Sequence, residues 1–198
     1  MLAADSGADR LRFLEIVPDV AVGDFDSMTP DTLAWLKDRR VELKLFPQAK
    51  DKTDAELAIE EAATRGANEL TLTCAWGGRI DQTLANIFLL RSAHKKGLSC
   101  RISEAAGDVY LVERRLTMTG RPGDTVSLLA IEDSTGVVLS GFTYQVPGGR
   151  LATGATLGIS NILLGREGRI ELQSGLILVV HLRGDDERPR FSPDDRRV

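Results

Sequence analysis

The stretch Val20–Ser27 reads VAVGDFDS, an apolar run followed by a glycine and two aspartates. A helix start follows directly. Thr29 is a favourable N-cap residue, Pro30 suits the first helical turn, and the carboxylate of Asp31 suits the positive end of a helix. A strand, an acidic turn and a helix in this order form the unit from which parallel sheets are built. The stretch therefore predicts an α/β fold.

Strands and helices alternate in the same way from the N-terminus to about Arg115. Alternation at this spacing predicts a mostly parallel sheet with helices on both faces. The expected strands are Leu2–Ala4, Val20–Val22, Leu43–Phe46, Leu70–Cys74 and Cys100–Ile102, and the expected helices run from Thr29 to about Lys37, from Asp54 as its cap to Gly66, and from about Gln82 to Lys96.

The pattern changes after Thr119, where short β-rich runs are separated by glycine turns. This sequence pattern is typical of an all-β unit, most simply a small sandwich. We therefore predict an α/β domain over residues 1–119, a β-sandwich over residues 120–184, and a disordered, charged tail over residues 185–198. The expected C-terminal strands are Val126–Ile131, Val137–Leu139, Phe142–Val146, Arg169–Leu172 and Leu176–Leu182.

Composition excludes several classes of protein. The net charge of −4 argues against a protein that binds nucleic-acid backbones, because such proteins carry a basic excess. The chain has no apolar run of membrane-spanning length and no signal-peptide pattern, so we expect a cytoplasmic protein without membrane partners. Cys74 and Cys100 are expected to be buried, reduced thiols, and His94 and His181 lie in no ligand pattern.

Acidic residues share one placement in the α/β half, since each follows an apolar strand and precedes a helix. Strand carboxyl ends meet at one edge of a parallel sheet, so these residues are expected to converge. Converging carboxylates repel one another unless a cation joins them, and oxygen ligands of this kind suit Mg²⁺. The residues are Asp5, Asp24, Asp26, Asp54 and Asp81.

Basic residues near these carboxylates suit a polyphosphate. Arg79 offers a planar guanidinium to phosphate oxygens, and Lys50 and Lys52 would neutralise further charge. Each piece has another explanation. Asp54 or Asp81 alone is most often a helix cap, Arg79 alone suits a surface ion pair, and an Asp-x-Asp turn also occurs in glycosyltransferases and phosphatases.

Taken together, the motifs resemble those of the thiamine pyrophosphokinase family in order and spacing. The resemblance extends from about Ala3 to Leu182, and the combination of motifs is far more specific than any one of them. The segments that carry it are Ala4–Leu11, Pro18–Asp19, Gly23–Ser27, Lys52–Asp54, Gly77–Gln82 and Gly158–Asn161.

This resemblance implies an N-terminal α/β catalytic domain that binds ATP and magnesium, and a C-terminal β-sandwich that binds thiamine. It also implies a homodimer with active sites at the subunit interface. The implied reaction transfers a pyrophosphoryl group from ATP to thiamine, giving thiamine diphosphate and AMP. Carried over by motif, the magnesium ligands are Asp24, Asp26 and Asp54 with Asp81 close by, the ATP contacts are Thr53 and Arg79, and the thiamine contacts are Ser160, Asn161 and Tyr144.

Tyr144 has a second interpretation, as a half-exposed tyrosine of a strand. The chain also departs from the family pattern at two places. Ser6 stands where relatives commonly have glycine, a modest change if the backbone there does not need a positive φ. Relatives usually begin with a further strand and a glycine-rich turn before the Asp5 segment, so we expect a late start codon or a shortened chain.

Three other functions remain open at this point. A pyrophosphokinase acting on a hydroxymethyl pterin would keep the same metal and ATP machinery. A metal-dependent glycosyltransferase would use the turn of Asp24 and Asp26. A non-catalytic thiamine or nucleotide sensor would bind the same ligands without turnover.

Overall fold

The computed structural model describes residues 1–184, so the charged tail of residues 185–198 lies outside the described part of the chain. The chain forms two compact units. The first contains Met1–Leu70 and Cys74–Cys100, and the second contains Thr71–Thr73 and the residues from Arg101 onward. This division lies earlier than the predicted boundary near residue 120, because residues 107–112 pair with the C-terminal residues 177–182.

The first unit begins with alternating strands and helices. In chain order the elements up to residue 104 are β1 (Leu2–Ala4), α1 (Gly7–Phe13), β2 (Val20–Gly23), α2 (Pro30–Asp38), β3 (Glu42–Leu45), α3 (Asp54–Thr64), β4 (Glu69–Leu72), α4 (Ile80–Lys95) and β5 (Ser99–Glu104). Strands β1, β2 and β3 form a parallel sheet in that order.

Helices cover both faces of this parallel sheet. Side chains alternate between the two faces along a strand. On one face Ala21 of β2 clusters with Leu36 of α2, and on the other face Val20 and Val22 cluster with Leu57 of α3. The α/β expectation is confirmed for β1 to β3. The expectation that β4 and β5 join the same mostly parallel sheet is wrong, because they belong to a different sheet.

Threonine hydroxyls begin two of the helices. Thr29 Oγ1 accepts from the Thr32 N–H at the start of α2, as the sequence predicts. At α3 the cap is Thr53, whose Oγ1 lies 3.2 Å from the Glu56 nitrogen, and not Asp54 as expected. The carboxylate of Asp54 is therefore available for another role.

Antiparallel strands make up the second unit. They are β6 (Gly107–Val112), β7 (Arg115–Thr119), β8 (Thr125–Thr135), β9 (Val138–Ser140), β10 (Arg150–Leu151), β11 (Asn161–Ile162), β12 (Glu167–Glu171) and β13 (Ser174–Leu182). A seven-stranded sheet has the order β10-β8-β13-β6-β5-β4, with β11 paired to β8. A second sheet has the order β7-β12-β9. One hydrophobic cluster takes side chains from both sheets, among them Leu128 and Ile177 from the first and Leu139 and Ile170 from the second.

Two expectations for single segments are wrong. Residues 142–146 do not form a strand; Phe142 makes only an isolated bridge with Leu163, and the backbone of Tyr144 is bonded to the Asn161 side chain instead of a neighbouring strand. Cys74 is exposed, whereas Cys100 is buried as expected.

A buried cluster of polar side chains joins three parts of the second unit. His181 of β13 is 2% exposed, and its Nε2 lies 2.8 Å from Asp124 Oδ2. Its Nδ1 lies 3.7 Å from Asp108 Oδ2 on β6. A Cβ at Gly120 would lie 2.7 Å from Asp124 Oδ2, so this position has no room for a side chain. This polar cluster ties β13 to β6 and to the turn before β8.

Candidate active site

Three carboxylates gather at the carboxyl edge of the parallel sheet. Asp5 follows β1, and Asp24 and Asp26 follow β2, so parallel pairing brings the three residues to the same edge. Each offers an oxygen, and these oxygens lie within 4.8 Å of one another. Within residues 1–184 this is the group of potential metal ligands that the structure forms.

Gly23 allows a fourth carboxylate to come close to this edge. Its φ is +149°, and a Cβ there would lie 3.1 Å from both Asp54 Oδ1 and Asp5 Cβ. Any larger residue would therefore push against two of the acidic side chains. Asp54 stands at the start of α3, after β3 of the same sheet.

Lys50 joins Asp54 to Asp24. Its Nζ lies 2.9 Å from Asp24 Oδ2 and 2.8 Å from Asp54 Oδ1. The contact with Asp24 is a hydrogen bond. Asp54 Oδ1 is buried without a hydrogen-bond partner among the described residues, and its contact with Lys50 is an ion pair.

The charges of this cluster perturb one another. The hydrogen bond from Lys50 is the main reason that the pKa of Asp24 is lowered. Contact with Asp54 first, and with Asp24 second, raises the pKa of Lys50. The ammonium of Lys50 and the carboxylate of Asp24 therefore remain charged together at neutral pH.

Asp5 is the buried member of the cluster. It is 7% exposed, its φ is +41°, and its Oδ1 is buried without a hydrogen-bond partner among the described residues. Burial, followed by the charges of Asp54 and Asp24, raises its pKa. An unpartnered buried oxygen beside other carboxylates fits a divalent cation such as Mg²⁺. The position of Asp5 after an apolar strand was expected, but Asp5 was not among the expected metal ligands.

The backbone conformation at Asp5 and Ser6 explains how serine can occupy position 6, where relatives commonly have glycine. Ser6 has φ −57°, and the positive φ belongs to Asp5 instead. A glycine is therefore not needed at position 6.

Other predicted site residues make contacts elsewhere in the first unit. Lys52 pairs with Glu60 at 2.6 Å, and Thr53 caps α3. Arg79 forms a two-point ion pair with Asp81, with distances of 2.5 and 3.1 Å, and both side chains are well exposed. Asp81 lies outside the carboxylate group that forms within residues 1–184.

In the second unit, Asn161 holds the segment that carries Tyr144. The Asn161 amide donates to the Tyr144 carbonyl at 2.8 Å and accepts from the Tyr144 N–H at 3.0 Å. Asn161 is buried, whereas Tyr144 is 39% exposed. Ser160 has φ +60°, and its N–H donates to Ser127 Oγ.

A carboxylate cluster with a lysine, at the carboxyl edge of a parallel sheet, is typical of enzymes that transfer phosphate groups with a metal ion. Comparison with known proteins narrows this class. The family model "Thiamin pyrophosphokinase, catalytic domain" matches residues 1–102, more than half of the chain, and "Thiamin pyrophosphokinase, vitamin B1 binding domain" matches residues 112–177. The chain belongs to the thiamin pyrophosphokinase family.

Individual relatives agree with this membership. Thiamine pyrophosphokinase from Bacillus subtilis (strain 168) is 26% identical over 190 residues, which cover 90% of this chain and 85% of that protein. A crystal structure of the Bacillus subtilis enzyme has a TM-score of 0.83 at 25% identity, covering 93% of this chain and 87% of that one. A crystal structure of thiamin pyrophosphokinase from Geobacillus thermodenitrificans has a TM-score of 0.80 at 25% identity, covering 94% and 86%.

Proposed function

We propose that this chain carries out the reaction of its family at the cluster around Lys50. The reaction transfers the pyrophosphoryl group of ATP to thiamine. The oxygen of the thiamine hydroxyl forms a bond to the β-phosphorus and its proton is released to solvent, while the bond between that phosphorus and the oxygen of AMP breaks. Thiamine diphosphate and AMP are then released. The observation that carries the proposal is the gathering of Asp5, Asp24 and Asp26 in a chain that both family models match.

The carboxylates are proposed to hold magnesium. Asp24, Asp26 and Asp54 are the expected ligands, and the position of Asp5 supports adding it to the set. Bound magnesium would neutralise phosphate charge and align the reacting groups. The protein contributes fixed oxygen ligands on rigid strand ends, which keeps the site in position for transfer.

Basic residues are proposed to bind the ATP phosphates. Arg79, Lys52 and Thr53 retain the roles expected from their motifs, and Arg79 is supported by its exposed, bidentate pairing with a carboxylate. A guanidinium that forms a two-point contact with one carboxylate has the geometry for a phosphate. Binding of ATP by Arg79 would exchange its contact with Asp81 for a contact with phosphate.

Ser160, Asn161 and Tyr144 are proposed to bind thiamine. Asn161 fixes the backbone on which Tyr144 is presented, and the partly exposed aromatic ring of Tyr144 suits the cationic thiazolium. The role of Asn161 is then mainly to position Tyr144, because three of its four amide hydrogen-bonding positions are used within the protein.

A homodimer with active sites between subunits is also proposed. Ile80, Leu84 and Phe88 lie on one face of α4 and are 77%, 50% and 62% exposed. An exposed apolar stripe of this kind supports an association surface.

The helices described within residues 1–184 include none with the length and hydrophobicity of a membrane span.

Mixing the protein with ATP, Mg²⁺ and thiamine is the test of the proposed function. We expect AMP and thiamine diphosphate to form in equal amounts, measured by chromatography, and no turnover when a hydroxymethyl pterin replaces thiamine. Binding of ATP and thiamine without AMP release would indicate a sensor. The comparisons do not favour the pterin, glycosyltransferase or sensor alternatives.

Replacing Tyr144 tests the thiamine site. Tyr144→Ala is expected to raise the KM for thiamine by roughly twofold to thirtyfold, because a cation–π contact is worth about 0.5–2 kcal/mol. Tyr144→Phe keeps the ring and serves as the matched control, with a KM near the wild-type value. Equal KM values for all three proteins would indicate a structural tyrosine instead.

A further inference from the structure

The ammonium of Lys50 lies among side chains that also suit a metal ion. It contacts Asp24 and Asp54 at 2.9 and 2.8 Å, and its own side chain is only 14% exposed. Asp24 belongs to the carboxylate group with Asp5 and Asp26. The lysine therefore acts as the cation of this cluster in the metal-free protein.

The cluster needs such a cation. Four carboxylates, those of Asp5, Asp24, Asp26 and Asp54, meet at this edge of the sheet, and Asp5 Oδ1 is buried without a hydrogen-bond partner among the described residues. Like charges this close repel one another unless a positive charge lies between them. Lys52 does not share this role, because it is paired with Glu60.

An ammonium and a divalent cation repel each other and compete for the same oxygens. Asp24 Oδ2 and Asp54 Oδ1 already contact Lys50 Nζ, so a metal ion bound through these two oxygens requires the lysine to move. Breaking those two contacts costs free energy, which makes the binding free energy of the metal ion less favourable. The metal-free cluster is consequently a weak site for magnesium.

We propose that Lys50 is an internal counter-ion that competes with Mg²⁺ and leaves the cluster when magnesium arrives with a polyphosphate. This inference rests on the proposed function, since the polyphosphate is that of ATP. Phosphate oxygens give the displaced ammonium a new partner, so the cost of moving Lys50 is offset only when the nucleotide is present. Magnesium and nucleotide therefore bind cooperatively, and Lys50 couples them.

Titration calorimetry of the full chain with MgCl₂, without nucleotide, tests the competition. Lys50→Met is expected to bind Mg²⁺ about tenfold more tightly than the wild type, because one charge at contact distance is removed. Lys52→Met is the matched control, since it removes the same charge two positions away, and its affinity is expected to stay close to that of the wild type. Equal or weaker Mg²⁺ binding by Lys50→Met would overturn the proposal.

A measurement on the wild-type protein covers the case in which Lys50→Met does not fold. Reductive methylation followed by mass spectrometry reports how accessible each lysine is. The rate at Lys50 is expected to change severalfold when Mg²⁺ and a non-hydrolysable ATP analogue are added together, because Lys50 exchanges carboxylate partners for phosphate partners, and to change little with the analogue alone. An unchanged rate with both ligands would contradict displacement.

The two proposals fail in different ways. If the wild-type protein forms no AMP but Lys50→Met still binds Mg²⁺ more tightly, the proposed reaction is wrong and the counter-ion role stands. Normal AMP formation with no gain in Mg²⁺ affinity would remove the counter-ion role and leave the reaction.

Discussion

Asp26→Asn is expected to lower kcat by roughly a hundredfold or more while the protein remains folded. The carboxylate of Asp26 is exposed and accepts hydrogen bonds from Ser27 Oγ at 2.9 Å and from Gln48 Nε2 at 2.8 Å. Asparagine has nearly the same shape but no charge, and the charge stabilisation that a bound metal provides is worth several kcal/mol. Steady-state kinetics with saturating ATP and thiamine measures the effect.

Asp31→Asn is the control for this substitution. Asp31 lies on α2, its side chain is 82% exposed, and its ion pair with Arg12 is long at 3.8 Å. Replacing Asp31 is expected to leave kcat unchanged, because exposed ion pairs contribute little to stability. Near-normal turnover by Asp26→Asn would remove that residue from the metal site, whereas a lower melting temperature in that variant would indicate a structural role.

Asp124→Asn is expected to destabilise the protein by about 1–3 kcal/mol, since it leaves a buried hydrogen-bond donor without its acceptor. Asp124 is 3% exposed, and it accepts from the Arg121 N–H at 2.8 Å and the Gly184 N–H at 3.0 Å as well as contacting His181. Asparagine replaces one of these acceptor oxygens with a donor. Urea unfolding at neutral pH measures the loss.

The destabilisation caused by Asp124→Asn should depend on pH in a defined direction. Burial alone would raise the pKa of Asp124, but the N–H groups of Arg121 and Gly184, together with His181, outweigh burial and lower the pKa below its usual value of 3.8. A group with a lowered pKa in the folded state stabilises the protein fully above the unfolded value, and the stabilisation is lost as pH falls through the folded value. The difference between wild type and Asp124→Asn is therefore expected to be constant at neutral pH and to shrink below about pH 4.

Glu171→Gln provides a comparison for the stability effect. Glu171 lies on β12 with a side chain that is 43% exposed and 4.0 Å from Arg169. Its substitution is expected to change the free energy of unfolding by less than about 0.5 kcal/mol. A pH-independent difference for Asp124→Asn would contradict an ionised Asp124 in the folded protein.

Features with a local cause could be predicted from the sequence. Thr29 and Pro30 begin α2 as expected, because a cap and a first-turn proline act within a few residues. The choice between Thr53 and Asp54 as the cap of α3 could not be made, since both residue types cap helices and they are adjacent. The sequence also did not indicate which sheet β4 and β5 would join. β5 joins the seven-stranded sheet through a tight hairpin with β6, and β4 lies beside β5; the sequence pattern did not predict the β6 strand.

The same distinction applies to the candidate site. Asp5 and Asp24 meet because β1 and β2 are parallel neighbours, which the strand-end rule anticipates. Asp81 does not join them in the carboxylate group, because it follows β4, which lies in the other sheet. Lys50 was expected to neutralise phosphate, and its contacts with Asp24 and Asp54 depend on side-chain positions that no local pattern encodes.

The pairing of β13 with both β6 and β8 has a consequence for biosynthesis. Residues 174–182 complete the middle of the sheet, yet they are synthesised after both strands that flank them. Until that segment leaves the ribosome, β6 and β8 each present an unpaired edge, and open edges promote aggregation. The parallel sheet of the first unit has no such dependence, so we expect the nascent chain to acquire structure from its N-terminal end, with the second unit folding only near the end of translation.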